Sequence, residues 1–260
     1  MKHLIRLFPL LLAVVLLVTS CKKDDDDAVA NEEVSEGVAT PVAAFAEFNA
    51  DAVTVSFDGD EITIESNGVP NHTSPYWAET DPLYIDAIVA VALTPGRIGG
   101  NRSYSLTVPA APALAPTSSP TGLGPIGIAV TGVPIFNDQE GGNRPIEEQI
   151  AETFDYAGAH NVPSGYHYHI ESSDIPENTV LSHDDSDLVG IMADGFLLYG
   201  RREADGSYPT DLDESGGHFG VTPHSNGEEV YHYHIINEFY FGSVIALFAG
   251  DLQGTPNTIL

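Results

Sequence analysis

The chain has 260 residues, of which 38 are acidic and 9 are basic, so its formal net charge at pH 7 is -29. A surface of this sign repels the phosphates of nucleic acids and the headgroups of anionic lipids, which excludes nucleic-acid binding. The chain contains a single cysteine, Cys21, and therefore no disulfide within the chain.

The amino-terminal residues 1–20 have the features of a secretory signal peptide. A basic start precedes an apolar run at residues 7–18, and small residues end the segment. The tetrapeptide at residues 18–21, Val-Thr-Ser-Cys, resembles the bacterial lipobox. That resemblance implies cleavage before Cys21 and lipidation of its sulfur. We therefore predict a lipoprotein signal peptide, with outer-membrane lipid as the partner of the acylated cysteine.

A charged block follows the signal peptide. Residues 22–27 read Lys-Lys-Asp-Asp-Asp-Asp, which cannot join a core and is typical of a solvated tether. We assign residues 21–43 to a flexible acidic tether. The block also resembles the sorting signal of surface lipoproteins, which implies that the protein faces the extracellular side of the outer membrane. The periplasmic face is the alternative, and the sequence specifies no protein or glycan partner.

Alternating and β-branched runs dominate the rest of the chain, and turn-forming residues separate them. Strands are predicted at residues 53–57, 61–65, 85–93, 104–108 and 126–136. The pattern predicts a single all-β domain at residues 44–260, built mainly of antiparallel sheets in a sandwich-like or barrel-like arrangement.

Two stretches of this domain predict other local structure. Residues 109–120 are rich in proline and small residues, which favours an extended, polyproline-like crossing over the surface. A helix is predicted at residues 144–154, because Pro145 stands near its start and acidic residues occupy the first turn. The domain is expected to contain at most one or two short helices.

Three blocks of sequence occur twice in the same order. They are residues 127–136 and 190–199 at an offset of 63, residues 155–160 and 213–218 at an offset of 58, and Tyr-His-Tyr-His at 166–169 and 231–234 at an offset of 65. We interpret them as an internal duplication of a unit of about 50 residues, with related elements meeting at a pseudo-two-fold axis. The predicted repeat units cover about residues 124–171 and 187–236.

The repeated tetrapeptide predicts a metal site. In an extended strand its two histidines project from one face and its two tyrosines from the other. Imidazole is the commonest metal ligand, and nearby carboxylates can bind directly or orient it. The candidate ligands are the histidines and aspartates of the repeats: His160, His167, His169, His218, His232, His234, Asp155, Asp194 and Asp213.

The predicted cofactor is a transition metal. Because no cysteine is available inside the domain, copper or zinc bound through nitrogen and oxygen is favoured, and calcium is possible for so acidic a chain. The twin His-x-His strands would build one or two metal or polar sites near the repeat axis.

Three functions are compatible with these residues. The first is a histidine-rich metal-binding protein, and the second is a metal-dependent hydrolase or oxidase with an aspartate as base, for which no catalytic residue is assigned. The third is a noncatalytic surface binding or adhesion module, in which histidine, aspartate and tyrosine form a structural polar core. His72, in a turn-rich segment, either adds a ligand from outside the repeat or is part of the loop structure.

Taken together, these motifs resemble the YHYH-domain proteins, a family named for the tetrapeptide. The matching pieces are residues 66–72, 132–137, Asp155 with His160, 194–200, 211–218 and both tetrapeptides. The chain departs from the expected pattern at Leu197-Leu198, where a second proline is expected. The resemblance implies kinship with a bacterial lipoprotein member of this family, and it implies no particular activity.

Overall fold

A computed structural model describes residues 37–87, 91–99, 102–172 and 184–260. The predicted all-β class is confirmed, since the described residues contain mainly strands and two short helices, a 3-10 helix at Val42–Glu47 and α1 at Glu148–Ala151. The strands are β1 (Val53–Asp58), β2 (Glu61–Ser66), β3 (Tyr104–Pro109), β4 (Leu114–Ser119), β5 (Gly127–Ala129), β6 (Pro134–Ile135), β7 (Gln139–Glu140), β8 (Arg144–Pro145), β9 (Ala159–Val162), β10 (Gly165–Tyr168), β11 (Leu188–Met192), β12 (Leu197–Tyr199), β13 (Gly217–Val221), β14 (Glu229–His234) and β15 (Leu252–Gly254).

The largest sheet has eight strands in the order β13-β14-β12-β11-β5-β6-β10-β9. From the centre outward, each half contains an antiparallel hairpin, a parallel strand that carries one tetrapeptide, and an antiparallel edge strand. At the centre Ile128 of β5 pairs with Ile191 of β11, its counterpart at the offset of 63. The two halves are therefore related by an approximate two-fold axis through this pair. Their origin by duplication stays a prediction.

A second sheet, β1-β2-β3, lies over the turns of the two central hairpins. Each hairpin turns at a glycine with φ of 92°, Gly132 and Gly195, a backbone conformation that disfavours other residues. A side chain at Gly132 would contact Val53 and Ser66, and one at Gly195 would contact Val108. Buried residues of the two sheets join one hydrophobic core, which holds the central hairpins between the sheets.

The eight-stranded sheet is open rather than barrel-like. Its two edges are β9 and β13, and no closed barrel forms within the described ranges. Each edge strand pairs on one side with the strand that carries a tetrapeptide. Both tetrapeptides therefore lie one strand in from an edge, and the two lie at opposite ends of the sheet.

Three local predictions differ from the structure. The helix predicted at residues 144–154 is limited to α1, because Arg144 and Pro145 instead pair with β7 in a small hairpin. The described residues of the predicted strand 85–93 form no strand. The proline-rich stretch is extended as expected, but β4 pairs with β15 and the register shifts across the segment that contains Pro116, which has no N–H to donate.

The amino-terminal predictions lie mostly outside the described residues. The signal peptide, Cys21 and the tether up to residue 36 belong to that part of the chain. Of the predicted tether, residues 37–43 are described, and there Thr40 is buried and its N–H donates to Ala110 O. Within the described ranges no helix has the length and apolar character that crossing a membrane requires.

Candidate metal centres

Six histidines and two glutamates gather into two groups. Cluster 1 consists of Glu140, His160, His167 and His169, and cluster 2 consists of Glu203, His218, His232 and His234. Each residue offers one ligand atom, and within each cluster these atoms lie within 4.8 Å of one another. All six histidines are buried, and the two glutamates are partly exposed at 16% and 20%.

Equivalent strands position the two clusters. Cross-strand pairing sets His160 of β9 opposite His167 of β10, and His218 of β13 opposite His232 of β14. Five interstrand steps separate the two tetrapeptide strands, which corresponds to roughly 24 Å. The expectation of sites near the repeat axis is therefore wrong. Each His-x-His strand builds its own cluster, and the two clusters lie far on either side of the axis.

In cluster 1 every Nδ1 atom is committed as a donor. His167 Nδ1 lies 2.8 Å from Gly165 O and His169 Nδ1 lies 2.6 Å from Asn137 O, and a carbonyl can only accept. His160 Nδ1 lies 2.7 Å from Thr153 Oγ1, whose own hydrogen is donated to a helix carbonyl. The proton of each neutral ring is thus on Nδ1, and each Nε2 carries only a lone pair.

These lone pairs point at one another. His160 Nε2 and His167 Nε2 are 3.2 Å apart with no hydrogen available to lie between them. Glu140 Oε1 lies 3.2 Å from His160 Nε2 and 3.3 Å from His169 Nε2. That oxygen and His169 Nε2 are buried and have no hydrogen-bond partner in the described part of the chain. Four electron-pair donors therefore converge, an arrangement that could hold a metal ion.

Cluster 2 repeats this arrangement. His232 Nδ1 donates to Val230 O at 2.9 Å and His234 Nδ1 donates to Gly200 O at 2.7 Å. Their Nε2 atoms are only 2.9 Å apart, and His218 Nε2 is 3.3 Å from His232 Nε2.

The carboxylate of cluster 2 completes the set. Glu203 lies 3.4 Å from His218 Nε2 and 3.7 Å from His234 Nε2. Behind the ring of His218, Nδ1 donates to Asp211 Oδ1 at 2.9 Å, so a carboxylate fixes this tautomer.

Burial keeps four of the imidazoles neutral. It lowers the pKa of His169 and of His234 to about 4 and the pKa of His232 to about 3. Burial, followed by repulsion from His169, holds the pKa of His167 well below its usual range. At neutral pH these four rings are therefore in the form that binds metal.

The three predicted aspartates do not belong to either cluster. Tyr166 donates to Asp155 and Tyr231 donates to Asp213, each at 2.6 Å, so both aspartates lie on the tyrosine side of the tetrapeptide strands. The third predicted aspartate, Asp194, likewise accepts a hydrogen bond of 2.7 Å from Tyr233.

His72 also lies on the tyrosine side. It is buried, and its Nε2 atom is 2.7 Å from Tyr168 Oη. It therefore joins the polar core of the tyrosine face, and the two four-residue clusters do not include it.

The carboxylates that do converge were missed by sequence reasoning. Glu140 and Glu203 follow the two hairpins and are separated by 63 residues, the offset of the hairpin blocks. Extending that offset beyond the aligned block would have found the pair. Thr153 and Asp211 accept the Nδ1 hydrogen bonds of His160 and His218, respectively. These two residues are likewise separated by 58 positions, the offset of the second pair of blocks.

The donor set fits a transition metal. Three imidazole nitrogens and one carboxylate oxygen match the ligands of zinc and copper sites, and four donors fill a tetrahedral sphere. Calcium fits poorly because it takes six or more oxygen ligands.

A comparison with sequence families matches one segment of the chain. The sequence model described as "YHYH protein" matches residues 105–209. This segment belongs to the YHYH protein family. The resemblance inferred from the tetrapeptide is thereby confirmed, and the YHYH segment contains all of cluster 1 together with Glu203. Neither the curated proteins nor the solved structures contain a match to this chain.

Proposed function

We propose that this protein binds two transition-metal ions, one in each cluster, through three imidazoles and one carboxylate. The observation that supports this proposal is the convergence of one carboxylate oxygen with three imidazole Nε2 atoms, while the Nδ1 atoms of the same rings donate to other groups. Two separate parts of the chain arrange the same set of donors, and in both of them the two histidines of the tetrapeptide donate from Nδ1 to backbone carbonyls. Zinc or copper is favoured because the donors are nitrogen and oxygen without thiolate.

A metal-binding role is favoured over a catalytic role for these sites. Four protein donors complete a tetrahedral coordination sphere, whereas catalytic zinc sites keep one position for water or substrate. Two open clefts, of about 500 Å³ and 450 Å³, are lined by none of the six cluster histidines. The proposed role is therefore binding or storage of metal rather than hydrolysis or oxidation.

We further propose that the domain is carried on the outer membrane by a lipid on Cys21 and faces the exterior. The lipobox-like tetrapeptide, the single cysteine and the acidic block that follows support this location. Labelling cells with radioactive palmitate is expected to mark the protein, and Cys21→Ser is expected to lose the label. A labelled serine variant would contradict the anchor, and resistance of intact cells to added protease would place the domain on the periplasmic face.

Elemental analysis tests the metal proposal directly. Protein purified without chelator or a metal-affinity column is expected to contain, or to take up, two equivalents of zinc or copper. Because the metal binds the folded state, a hundredfold excess over the dissociation constant should stabilise that state by about 2.7 kcal/mol per site. Calorimetric melting with and without added metal measures this effect. Absence of uptake together with an unchanged melting temperature would refute the proposal.

Acid provides the matched control for this measurement. Because burial lowers the pKa of His169 and of His234 to about 4, protons compete weakly with metal at pH 6. We expect retention of both equivalents at pH 6 and release at or below about pH 4. Release already between pH 7 and pH 6 would show that His169 and His234 do not hold the metal.

A further inference from the structure

The two clusters differ in the group that accepts the Nδ1 hydrogen bond of the histidine on the edge strand, His160 or His218. In cluster 1, His160 Nδ1 donates to the hydroxyl of Thr153 at 2.7 Å, and that hydroxyl passes its own hydrogen to Ile150 O. In cluster 2, His218 Nδ1 donates to the carboxylate of Asp211 at 2.9 Å. The corresponding position is thus neutral in one cluster and negatively charged in the other. The other two histidines of each cluster donate to backbone carbonyls in both cases.

This difference changes the charge balance of a bound divalent ion. In cluster 1 the only carboxylate is Glu140, so a divalent ion leaves one positive charge uncompensated. In cluster 2 the charges of Glu203 and Asp211 together neutralise the ion. A carboxylate behind an imidazole also makes that imidazole a stronger donor to the metal. Uncompensated charge in a buried site is costly, and cluster 2 avoids it.

The aromatic residues next to the clusters also favour a bound cation in cluster 2 over one in cluster 1. Phe136 stacks on His167 with ring centroids 3.9 Å apart, and Phe154 lies 4.8 Å from His160, so apolar rings enclose the uncompensated charge of cluster 1. At the position of Phe136, cluster 2 has Tyr199, whose hydroxyl contacts a histidine outside the cluster.

We propose that cluster 2 binds its metal more tightly than cluster 1, and that Asp211 and Thr153 are the positioning residues that set the difference. This inference depends on the proposed function. Carboxylates behind metal-bound histidines typically contribute 10-fold to 100-fold in affinity. Asp211 is 69% exposed and partly screened by solvent, so a ratio of about tenfold is expected.

Zinc titration of the purified protein, with a chelator of known affinity as competitor, tests this inference. Two binding steps about tenfold apart are expected, with the tighter step lost in His232→Ala and the weaker step lost in His167→Ala. Asp211→Thr is expected to weaken only the tighter step. Asp211→Asn, which keeps a hydrogen-bond acceptor without the charge, should give an intermediate affinity. In the reciprocal variant, Thr153→Asp should strengthen only the weaker step.

The outcomes separate this inference from the proposed function. Equal affinities of the two sites, or a tight step that survives in His232→Ala, would overturn the inference and leave the proposed function intact. A change at both sites in Asp211→Thr would assign Asp211 a general structural role and also overturn it. Absence of zinc binding by the unmodified protein would instead refute the proposed function. The exposed position of Asp211 makes its variants compatible with folding, which circular dichroism checks.

Discussion

Replacing His167 with alanine is expected to remove one of two bound metal ions and to leave the other in place. His167 supplies one of the four donors of cluster 1, and the remaining two imidazoles and Glu140 form an incomplete set. Cluster 2 lies roughly 24 Å away on separate strands and should keep its ion. The measurement is the metal content per chain after dialysis, which should fall from two equivalents to one.

The matching substitution on the other strand provides the main control. His232→Ala should also leave one equivalent, and the double variant should leave none. Tyr166→Phe, which changes the opposite face of the same strand, should keep both. If His167→Ala lost both ions while retaining the native circular dichroism spectrum, the two clusters would not be independent sites. Retention of both ions would show that the histidines are not ligands.

The strands of the fold could be predicted from the sequence where one face is buried and the other is not. Alternation in β2, where Ile62 and Ile64 are buried and Thr63 between them is more exposed, predicted its position closely. Residues 85–93 are more apolar than β2 but form no strand in their described part, where Ala92 N donates to Glu152 O. These described residues are exposed or half-buried, so the apolar run predicted neither burial nor a strand, and tertiary contacts decide the backbone conformation.

The histidines of the candidate site could be predicted because strand alternation is a local property. It placed His167 and His169 on one face and Tyr166 and Tyr168 on the other, as the structure shows. The carboxylate partner could not be predicted by proximity in sequence. Asp155 is near His160 along the chain, but its side chain accepts from backbone N–H groups of the following turn and faces the tyrosines.

Glu140 reaches cluster 1 from a small hairpin whose second strand, β8, lies where the sequence predicted the start of a helix. Arg144 pairs with Glu140 in that hairpin, which directs the glutamate toward the histidines. Such a contact depends on how a loop packs against a distant strand, and local patterns carry little information about it. The equal offset between Glu140 and Glu203 was the available signal, and it required extending the repeat beyond its aligned block.

The tetrapeptide therefore serves two purposes with its two faces. The histidine face gathers lone pairs with no protons between them, which is consistent with metal binding. On the tyrosine face three of the four hydroxyls donate to buried or turn-forming aspartates and fix the strand in the sheet. The metal-binding interpretation and the polar-core interpretation of the sequence thus apply to different side chains of the same strand. Removing one of the aspartates on the tyrosine face should then affect folding before it affects metal affinity.

Asp155→Ala is expected to be the most destabilising substitution on the tyrosine face. The carboxylate is 4% exposed and accepts hydrogen bonds from Ser74, Tyr166 and two backbone N–H groups. Burial raises its pKa, while the charge of His72 and the two hydroxyls oppose that shift. Alanine would leave these buried donors without an acceptor, at a cost of about 3–5 kcal/mol in the free energy of unfolding. Urea denaturation of the metal-free protein measures the loss.

Asp213 offers a matched comparison because it has nearly the same bonding in a different environment. It accepts from Tyr231 and from the backbone N–H groups of Ser215 and Gly217, but it is exposed to solvent. Water can replace the lost acceptor there, so Asp213→Ala should cost only about 1 kcal/mol. Asp155→Asn keeps an acceptor for the backbone and serves if the alanine variant does not fold. Equal losses at the two positions would show that burial does not determine the strength of this interaction.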